Sequence, residues 1–161
     1  KGAVSARTAA AAIAAAEKHG IPLTIDPKVP HIGYYRGGTL ITPNHHEAEA
    51  ITHMRLRNDE DTVAAARKLR ETTGCENVLI TRGELGMWLH SGTGDTSLPA
   101  AAREVSDVTG AGDTVIAMMT LALAGGASPV DAARLANRAA GIVVGKFGPA
   151  TVTVEELNSS Q

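Results

Sequence analysis

The chain has 161 residues, enough for one domain that buries roughly 70% of its unfolded surface. It is 43% hydrophobic and 20% charged with a net charge of −2, which argues against broad attraction to nucleic acid or to an anionic membrane. Aromatic residues make up only 2%, too few for stacking platforms that bind single strands. The one cysteine, Cys75, cannot form an internal disulfide, so we expect a reducing, cytoplasmic setting.

Helix and strand signals alternate through the first half of the chain. Helix signals cover residues 5–19, about 45–52 and 59–73, and apolar strand signals cover 22–26, 39–42 and 77–81. The first helix has Ser5 as a cap and Gly20 as its stop. A loop with prolines and glycines fills residues 27–38. The short apolar strands have the profile of a buried parallel sheet.

The second half starts with glycine turns and two short strands, at 87–90 and 96–98, which predict a small antiparallel edge. Three helices, at 113–124, 128–146 and 154–157, complete the chain. We therefore expect an α/β fold with a mostly parallel sheet flanked by helices. Ligands of such sheets bind beyond the carboxyl ends of the strands. One rim then collects the residues that follow those ends: Asp26, Asn44, Thr81 and Gly110.

The run Asp107-Val-Thr-Gly-Ala-Gly-Asp113 before an apolar helix is the most informative motif. Gly110, Ala111 and Gly112 are small enough for backbone N–H groups to approach an anion at the start of the helix. Asp113 would stand beside that anion as a carboxylate able to take a proton from an attacking hydroxyl. The alternative is an Asp or Thr N-cap after a glycine-rich loop.

Asn44 and Glu47 stand three residues apart at a strand-to-helix turn. Two such oxygen ligands suit Mg²⁺, which keeps several waters and phosphate oxygens in its shell. In the alternative, Asn44 caps the helix and Glu47 completes a capping box, and both can hold together. The neighbouring histidines lack the H-E-x-x-H order of zinc sites, so no zinc is predicted.

The segment Thr81-Arg82-Gly83 follows a strand and offers a hydroxyl, a cation and a glycine to a polyphosphate. The alternative is a glycine-containing hairpin with a surface arginine. Lys28 either meets a phosphate or is an exposed loop charge.

The segment from Ala136 to Gly141, which contains Asn137 and Ala140, lies in a helix. Its small residues permit a flat group such as adenine to approach. Close packing of the helix on the sheet explains the same small residues equally well.

On these motifs the chain resembles the ribokinase-like (PfkB-type) sugar kinases, which have the 107–113 signature and Asn44-x-x-Glu47. The segments 25–28, 35–44, 79–82 and 139–146 are similar to the heptose-7-phosphate kinase module of bacterial ADP-heptose synthases. Together they cover nearly the whole chain in the right order. The resemblance implies a ribokinase-like fold, with residues 1–161 as the C-terminal part of the kinase domain and with the N-terminal portion and its lid missing.

The resemblance also implies an activity: ATP-dependent phosphorylation of D-glycero-β-D-manno-heptose 7-phosphate at its 1-hydroxyl, on the route to lipopolysaccharide core. Asp113 would be the general base, and Gly110, Ala111 and Gly112 the anion hole. Lys28 and Asp113 would face the phosphorylated sugar. Another ribokinase-like carbohydrate or nucleoside kinase and a nucleotide-binding module without turnover stay open as alternatives, as does the activity of the fragment alone.

Cofactors and partners follow from the same resemblance. Mg²⁺ would be held by Asn44 and Glu47, and Asp107 and Thr109 match positions that bind a monovalent cation such as K⁺ in some relatives. A homodimer and a fused or separate adenylyltransferase domain are left open. The implied ATP contacts are Asn44, Thr81, Arg82, Gly83, Gly110, Gly112, Asn137, Ala140 and Gly141.

Overall fold

The structure, a computed structural model, describes residues 4–101 and 106–159; residues 102–105 and both ends of the predicted unit 1–161 lie outside the described part. In the described part of the chain, five strands form one sheet in the order β1-β2-β3-β4-β5. The strands are β1 (Thr24–Ile25), β2 (Leu40–Ile41), β3 (Asn77–Thr81), β4 (Met87–Ser91) and β5 (Gly94–Leu98). The first three are parallel, and β4 and β5 continue the sheet antiparallel. The predicted mostly parallel sheet with an antiparallel edge is confirmed.

Within the described ranges, six α-helices lie where the sequence patterns predict them, with ends within two residues. They are α1 (Ala6–His19), α2 (His45–Thr52), α3 (Asp59–Thr73), α4 (Ala111–Ala124), α5 (Pro129–Val144) and α6 (Val154–Ser159). A 3₁₀ helix at Val29–Tyr34 occupies the predicted loop. In the described ranges, no helix is long and apolar enough to cross a membrane.

Two hydrophobic cores, one on each face of the sheet, hold the layers together. Because successive side chains of a strand point to opposite faces, Leu40 and Leu79 face one core while Ile41 and Ile80 face the other. The first core contains residues of α4 and α5, and the second contains residues of α2 and α3. The result is a three-layer α/β/α arrangement with its strand ends at one rim.

The strands β1 and β2 are shorter than predicted, with two residues each instead of the 22–26 and 39–42 expected. Proline punctuates both: Pro27 lies two residues after β1 and Pro43 two residues after β2. Since proline has no N–H to donate to a ladder, neither strand extends through it. The short ladder still brings the residues after both strands to the same rim.

Candidate active site

The helix α4 begins at Ala111, two residues earlier than predicted, and its N-cap is Gly110. Gly110 has φ 81°, a left-handed conformation that glycine adopts without strain. Among the residues that the structure describes, no side chain caps this end. The predicted start at Asp113 and the alternative of an Asp or Thr N-cap are therefore wrong, because the turn is made by the glycine backbone. The amide of Thr114 donates to the Gly110 carbonyl at 2.9 Å, which closes the first helical turn.

The amino end of α4 consequently offers main-chain N–H groups to the solvent side. Thr114 is the first residue of α4 whose amide reaches a carbonyl four positions back. The amides of Gly112 and Asp113, which precede it, therefore have no acceptor within the helix. Gly112 is exposed, and the positive end of the helix dipole coincides with these amides. The arrangement is suited to an anion.

Asp113 is the third residue of α4 and its side chain is exposed rather than packed into the interior. It is the acidic residue of the first turn. The next residue toward the N-terminus, Gly112, lines a cleft. A carboxylate and the open amides thus lie within one turn of each other at the same end of one helix.

The cleft beside this helix end has a volume of about 510 Å³ and is bounded by the end of β3, the turn after it, α4 and α5. That size is within the range of small-molecule sites. Seven of the residues that sequence reasoning assigned to the site line it together: Thr81, Gly83, Ala111, Gly112, Asn137, Ala140 and Gly141. Gly110, Asn44 and Arg82 were assigned to the nucleotide but do not line the cleft.

Several lining residues were missed by the sequence analysis. Val108, Val115 and Val144 contribute apolar walls, and their sequence signal is the same as that of core residues. Glu84 is the one ionisable residue among the described residues that line the cleft. Its position one residue after Gly83 is the signal that could have identified it.

Asn137 is fixed at the cleft wall by its own amide. Its Nδ2 donates a hydrogen bond of 2.7 Å to the carbonyl of Pro99. That bond orients the side chain and leaves its Oδ1 as an acceptor in a mostly apolar wall. Ala140, about one turn along α5, is 8% exposed and lines the same cleft.

At the rim beside the cleft, Asn44 and Glu47 form a reciprocal capping box. The amide of Glu47 donates to Asn44 Oδ1 at 3.0 Å, and the amide of Asn44 donates to Glu47 Oε2 at 2.9 Å. The capping alternative is confirmed. Asn44 also pairs with Thr81 in an isolated parallel bridge, so the capping box adjoins the cleft.

Lys28 lies at the same rim, between two carboxylates. Its Nζ is 2.8 Å from Asp26 Oδ2 and 4.0 Å from Glu47 Oε1. The hydrogen bond to Asp26, with the charges of Asp26 and Glu47, raises the pKa of Lys28 above its ordinary value despite some desolvation. The Lys28 side chain is 62% exposed, so the loop-charge alternative is confirmed, and its ion pair with Asp26 keeps that charge at the strand ends.

Arg82 points away from the cleft. Its Nη1 is 2.6 Å from Asp59 Oδ1, and its guanidinium lies 5.3 Å from the centre of the Trp88 ring. The side chain is only 6% exposed, so the surface-arginine alternative is wrong. Because the guanidinium is already engaged with Asp59 and Trp88, this geometry gives its predicted phosphate role no support.

The loop before α4 is anchored to the end of α5. The amides of Ser106 and Asp107 donate to the Val144 carbonyl at 2.7 and 3.1 Å. Asp107 Oδ1 accepts the amide of Thr109 at 2.8 Å. Hydrogen bonds from the Thr109 side chain and amide hold the pKa of Asp107 below its ordinary value. A monovalent cation at Asp107 and Thr109 stays a prediction.

Comparison with known sequences gives consistent results. The model of the pfkB family carbohydrate kinases matches residues 1–156. The bifunctional protein HldE of Geobacter sulfurreducens is 47% identical over 161 residues, which is 99% of this chain and 33% of that protein. HldE of Caulobacter sp. is 49% identical over 159 residues, or 98% of this chain and 33% of that protein. The chain thus spans about a third of the length of these curated relatives.

Two solved structures with the same fold are both kinases. Phosphofructokinase-2 of Escherichia coli, in complex with substrates and products, matches with a TM-score of 0.83 at 21% identity. The match covers 97% of this chain and 52% of the phosphofructokinase-2 chain. Ribokinase of Arabidopsis thaliana, complexed with ribose and ATP, matches with a TM-score of 0.84 at 22% identity. The match covers 97% of this chain and 52% of the ribokinase chain. These confirm the ribokinase-like fold, and the match to the family model over 1–156 identifies the chain as a member of the pfkB family of carbohydrate kinases.

Proposed function

We propose that the chain is the C-terminal, nucleotide-binding and catalytic part of an ATP-dependent sugar kinase that acts in the cytoplasm. The observation that carries the proposal is the single helix end that combines open amides with an exposed carboxylate, Asp113, beside a cleft of about 510 Å³. Phosphoryl transfer depends mainly on positioning and on stabilising the charge of the transferring group. A helix end of this kind provides both.

The proposed acceptor is D-glycero-β-D-manno-heptose 7-phosphate, phosphorylated at its 1-hydroxyl to the 1,7-bisphosphate on the route to ADP-heptose. The 47% identity to a bifunctional HldE over 99% of the chain supports this choice over other ribokinase-like sugars. In that setting an adenylyltransferase, either fused to the kinase or separate from it, would act at a later step of the route to ADP-heptose. Lys28 would meet the phosphorylated sugar at the rim.

In the proposed reaction Asp113 accepts the proton of the sugar hydroxyl as its oxygen attacks the γ-phosphorus, and ADP leaves with the bridging oxygen. The amides around Gly112 stabilise the charge on the transferring phosphoryl group. Asp113 does not itself line the cleft, but it is exposed in the first turn of α4 next to the lining residue Gly112, so a sugar hydroxyl would approach it from the solvent side.

The nucleotide would occupy the cleft in an extended fashion. Adenine would lie on the flat wall of α5 made by Asn137, Ala140 and Gly141, and the phosphates would approach Thr81 and Gly83 at the end of β3. All five residues line one cavity. The apolar walls favour a purine, and the polar rim favours its phosphates.

The carboxylate of Glu47 would supply one oxygen ligand to Mg²⁺. Its Oε2 accepts the Asn44 amide, while Oε1 lies 4.0 Å from Lys28 Nζ. Mg²⁺ prefers one or two protein oxygens together with waters and phosphate oxygens, and the Oε1 atom of Glu47 provides one such protein oxygen. When bound there, the ion would neutralise phosphate charge. Asn44 would position Glu47 through the capping box, and K⁺ would bind near Asp107 and Thr109.

The test is a substrate panel with the complete protein that carries this chain. Heptose 7-phosphate, fructose 6-phosphate, ribose and adenosine are each incubated with ATP and Mg²⁺, and ³¹P NMR locates the new phosphate. We expect turnover with heptose 7-phosphate and a new phosphate on C1. Preference for another acceptor would replace the substrate assignment, and ATP binding without transfer to any of them would favour a non-catalytic module.

A further inference from the structure

The cleft contains one ionisable residue that has no role in the proposed reaction. Among the described residues that line the cleft, Glu84 is the one with an ionisable side chain, and it is exposed. In the ranges that the structure describes, its carboxylate makes no hydrogen bond or ion pair. Glu84 therefore offers a ligand in the cleft an acceptor that no other side chain occupies.

The turn that carries Glu84 is held in place by its own backbone and by a neighbouring segment. The amide of Arg82 donates to the Gly86 carbonyl at 2.8 Å, and the amide of Gly86 donates to the Gly83 carbonyl at 3.0 Å. Gly86 also packs so closely on the segment after β5 that an added Cβ would lie 2.6 Å from the Ala100 amide. The fold thus fixes the backbone position of Glu84 at the cleft wall.

The charge of Glu84 limits what can bind beside it. A polyphosphate is disfavoured there, because two negative groups in contact repel each other unless a cation lies between them. The open amides at the start of α4, next to Gly112, provide the favourable position for an anion. Val108 and Val144 provide apolar walls for a base. A neutral group with hydroxyl donors is the part of a nucleotide that fits beside Glu84.

The position of Glu84 along the cleft also corresponds to the sugar of a bound ATP. In the proposed binding mode the phosphates approach Thr81 and Gly83, and Glu84 is the residue after Gly83. Consecutive Cα atoms are about 3.8 Å apart, so a phosphate near Gly83 brings the adjoining ribose within reach of the Glu84 side chain. Ribose carries two neighbouring hydroxyls, and the two oxygens of a carboxylate can accept a hydrogen bond from each.

We infer that Glu84 is a specificity-determining residue that accepts hydrogen bonds from the 2′- and 3′-hydroxyls of the nucleotide. The cleft would then select ribonucleotides over their deoxy forms, because an analogue without the hydroxyls leaves the carboxylate without its partners. Acidic residues bind ribose hydroxyls in other nucleotide-binding folds for the same chemical reason. The inference rests on the proposed nucleotide-binding function and adds recognition of the ribose to it.

The experiment compares ATP with 2′,3′-dideoxy-ATP by calorimetric titration of the complete protein that carries this chain, with Mg²⁺ and without sugar. We expect the parent protein to bind ATP at least about tenfold more tightly, or about 1.4 kcal/mol. Glu84→Ala should reduce this preference to less than about twofold. Glu84→Gln keeps one acceptor oxygen and should give an intermediate preference. Inorganic tripolyphosphate should bind Glu84→Ala no more weakly than it binds the parent protein.

The matched control is Glu76→Ala, because Glu76 is an exposed glutamate at the opposite end of the same strand, β3. It should keep the preference of the parent protein for ATP. Equal affinities of the parent protein for the two nucleotides would overturn the inference. So would an undiminished preference in Glu84→Ala, or weaker binding of tripolyphosphate to that variant. Absence of any ATP binding would overturn the proposed function as well, so the two failures are distinguishable.

Discussion

Asn44 and Glu47 hold each other through two reciprocal hydrogen bonds, of 2.9 and 3.0 Å, at the point where β2 passes into α2. The same carboxylate lies 4.0 Å from the ammonium of Lys28. Glu47 therefore has a structural role and, in our proposal, a role toward magnesium. A substitution that keeps the first role and removes the charge separates the two.

Glu47→Gln should raise the Mg²⁺ concentration needed for half-maximal rate by about tenfold, because glutamine keeps the capping box but lacks the negative charge. A metal titration of the complete protein measures it, with the free energy of unfolding expected to stay nearly constant. The control is Asp61→Asn, since Asp61 accepts the amide of Arg57 at 3.0 Å in the equivalent position of α3. An unchanged titration for Glu47→Gln would refute the metal role.

Gly112→Leu should weaken ATP binding by at least about tenfold, or about 1.4 kcal/mol, while the protein remains folded. Outside its own helical turn, no atom lies within 4 Å of a Cβ built at Gly112, so a side chain can start there, at the wall of the cleft, without a clash. Calorimetric titration with ATP provides the measurement. Gly92→Leu, at another glycine with open space, is the control. Equal affinity of Gly112→Leu and the parent protein would show that ATP does not use this cleft.

Gly86→Ala should lower the free energy of unfolding by about 2 to 5 kcal/mol. Gly86 has φ +81°, and an added Cβ would overlap the carbonyl of Leu98 and lie 2.6 Å from the amide of Ala100. Urea unfolding measures the loss. Gly83→Ala, at φ +58° with nothing within 4 Å, should cost only about 1 to 2 kcal/mol. Similar losses at the two glycines would contradict the close approach of these backbones.

Protonation of the Asp95 carboxylate should lower the free energy of unfolding at acidic pH. Burial raises its pKa, but hydrogen bonds from Trp88 and His90, at 3.0 and 2.9 Å, outweigh that effect and hold the pKa below its ordinary value. A depressed folded-state pKa contributes stability above the unfolded pKa of 3.8, which is lost as the pH falls through the folded value.

Asp95→Asn should therefore lower stability near neutral pH and flatten its fall between about pH 5 and about pH 2. Urea midpoints across that range measure both effects, and Glu71→Gln at an exposed site is the control. If Asp95→Asn kept the full acid dependence of the parent protein, the depressed pKa of Asp95 would not be its source.

The sequence predicted the elements well because each carries a local signal. Ser5 and Gly20 bracket α1, and its cap accepts the amide of Thr8 as the pattern requires. The start of α4 was missed by two residues because Gly110 supplies the turn through its backbone, which a search for polar caps does not detect.

The directions of side chains at the site could not be predicted as well from the sequence. Arg82 follows Thr81 in the chain, but its guanidinium packs on Trp88, a neighbour that strand pairing creates. Val115 and Val144 line the cleft although they read as core residues. These placements depend on tertiary packing, on which the linear pattern carries no information.

The most direct test of the central claim is the turnover of Asp113→Asn in the complete protein. We predict a kcat lowered by about a hundredfold or more, with ATP binding retained, because the amide cannot accept the hydroxyl proton. Asp131→Asn is the matched control, since Asp131 is the third residue of α5 as Asp113 is of α4. It should leave kcat unchanged. Near-normal turnover of Asp113→Asn would contradict the assignment of Asp113 as the general base.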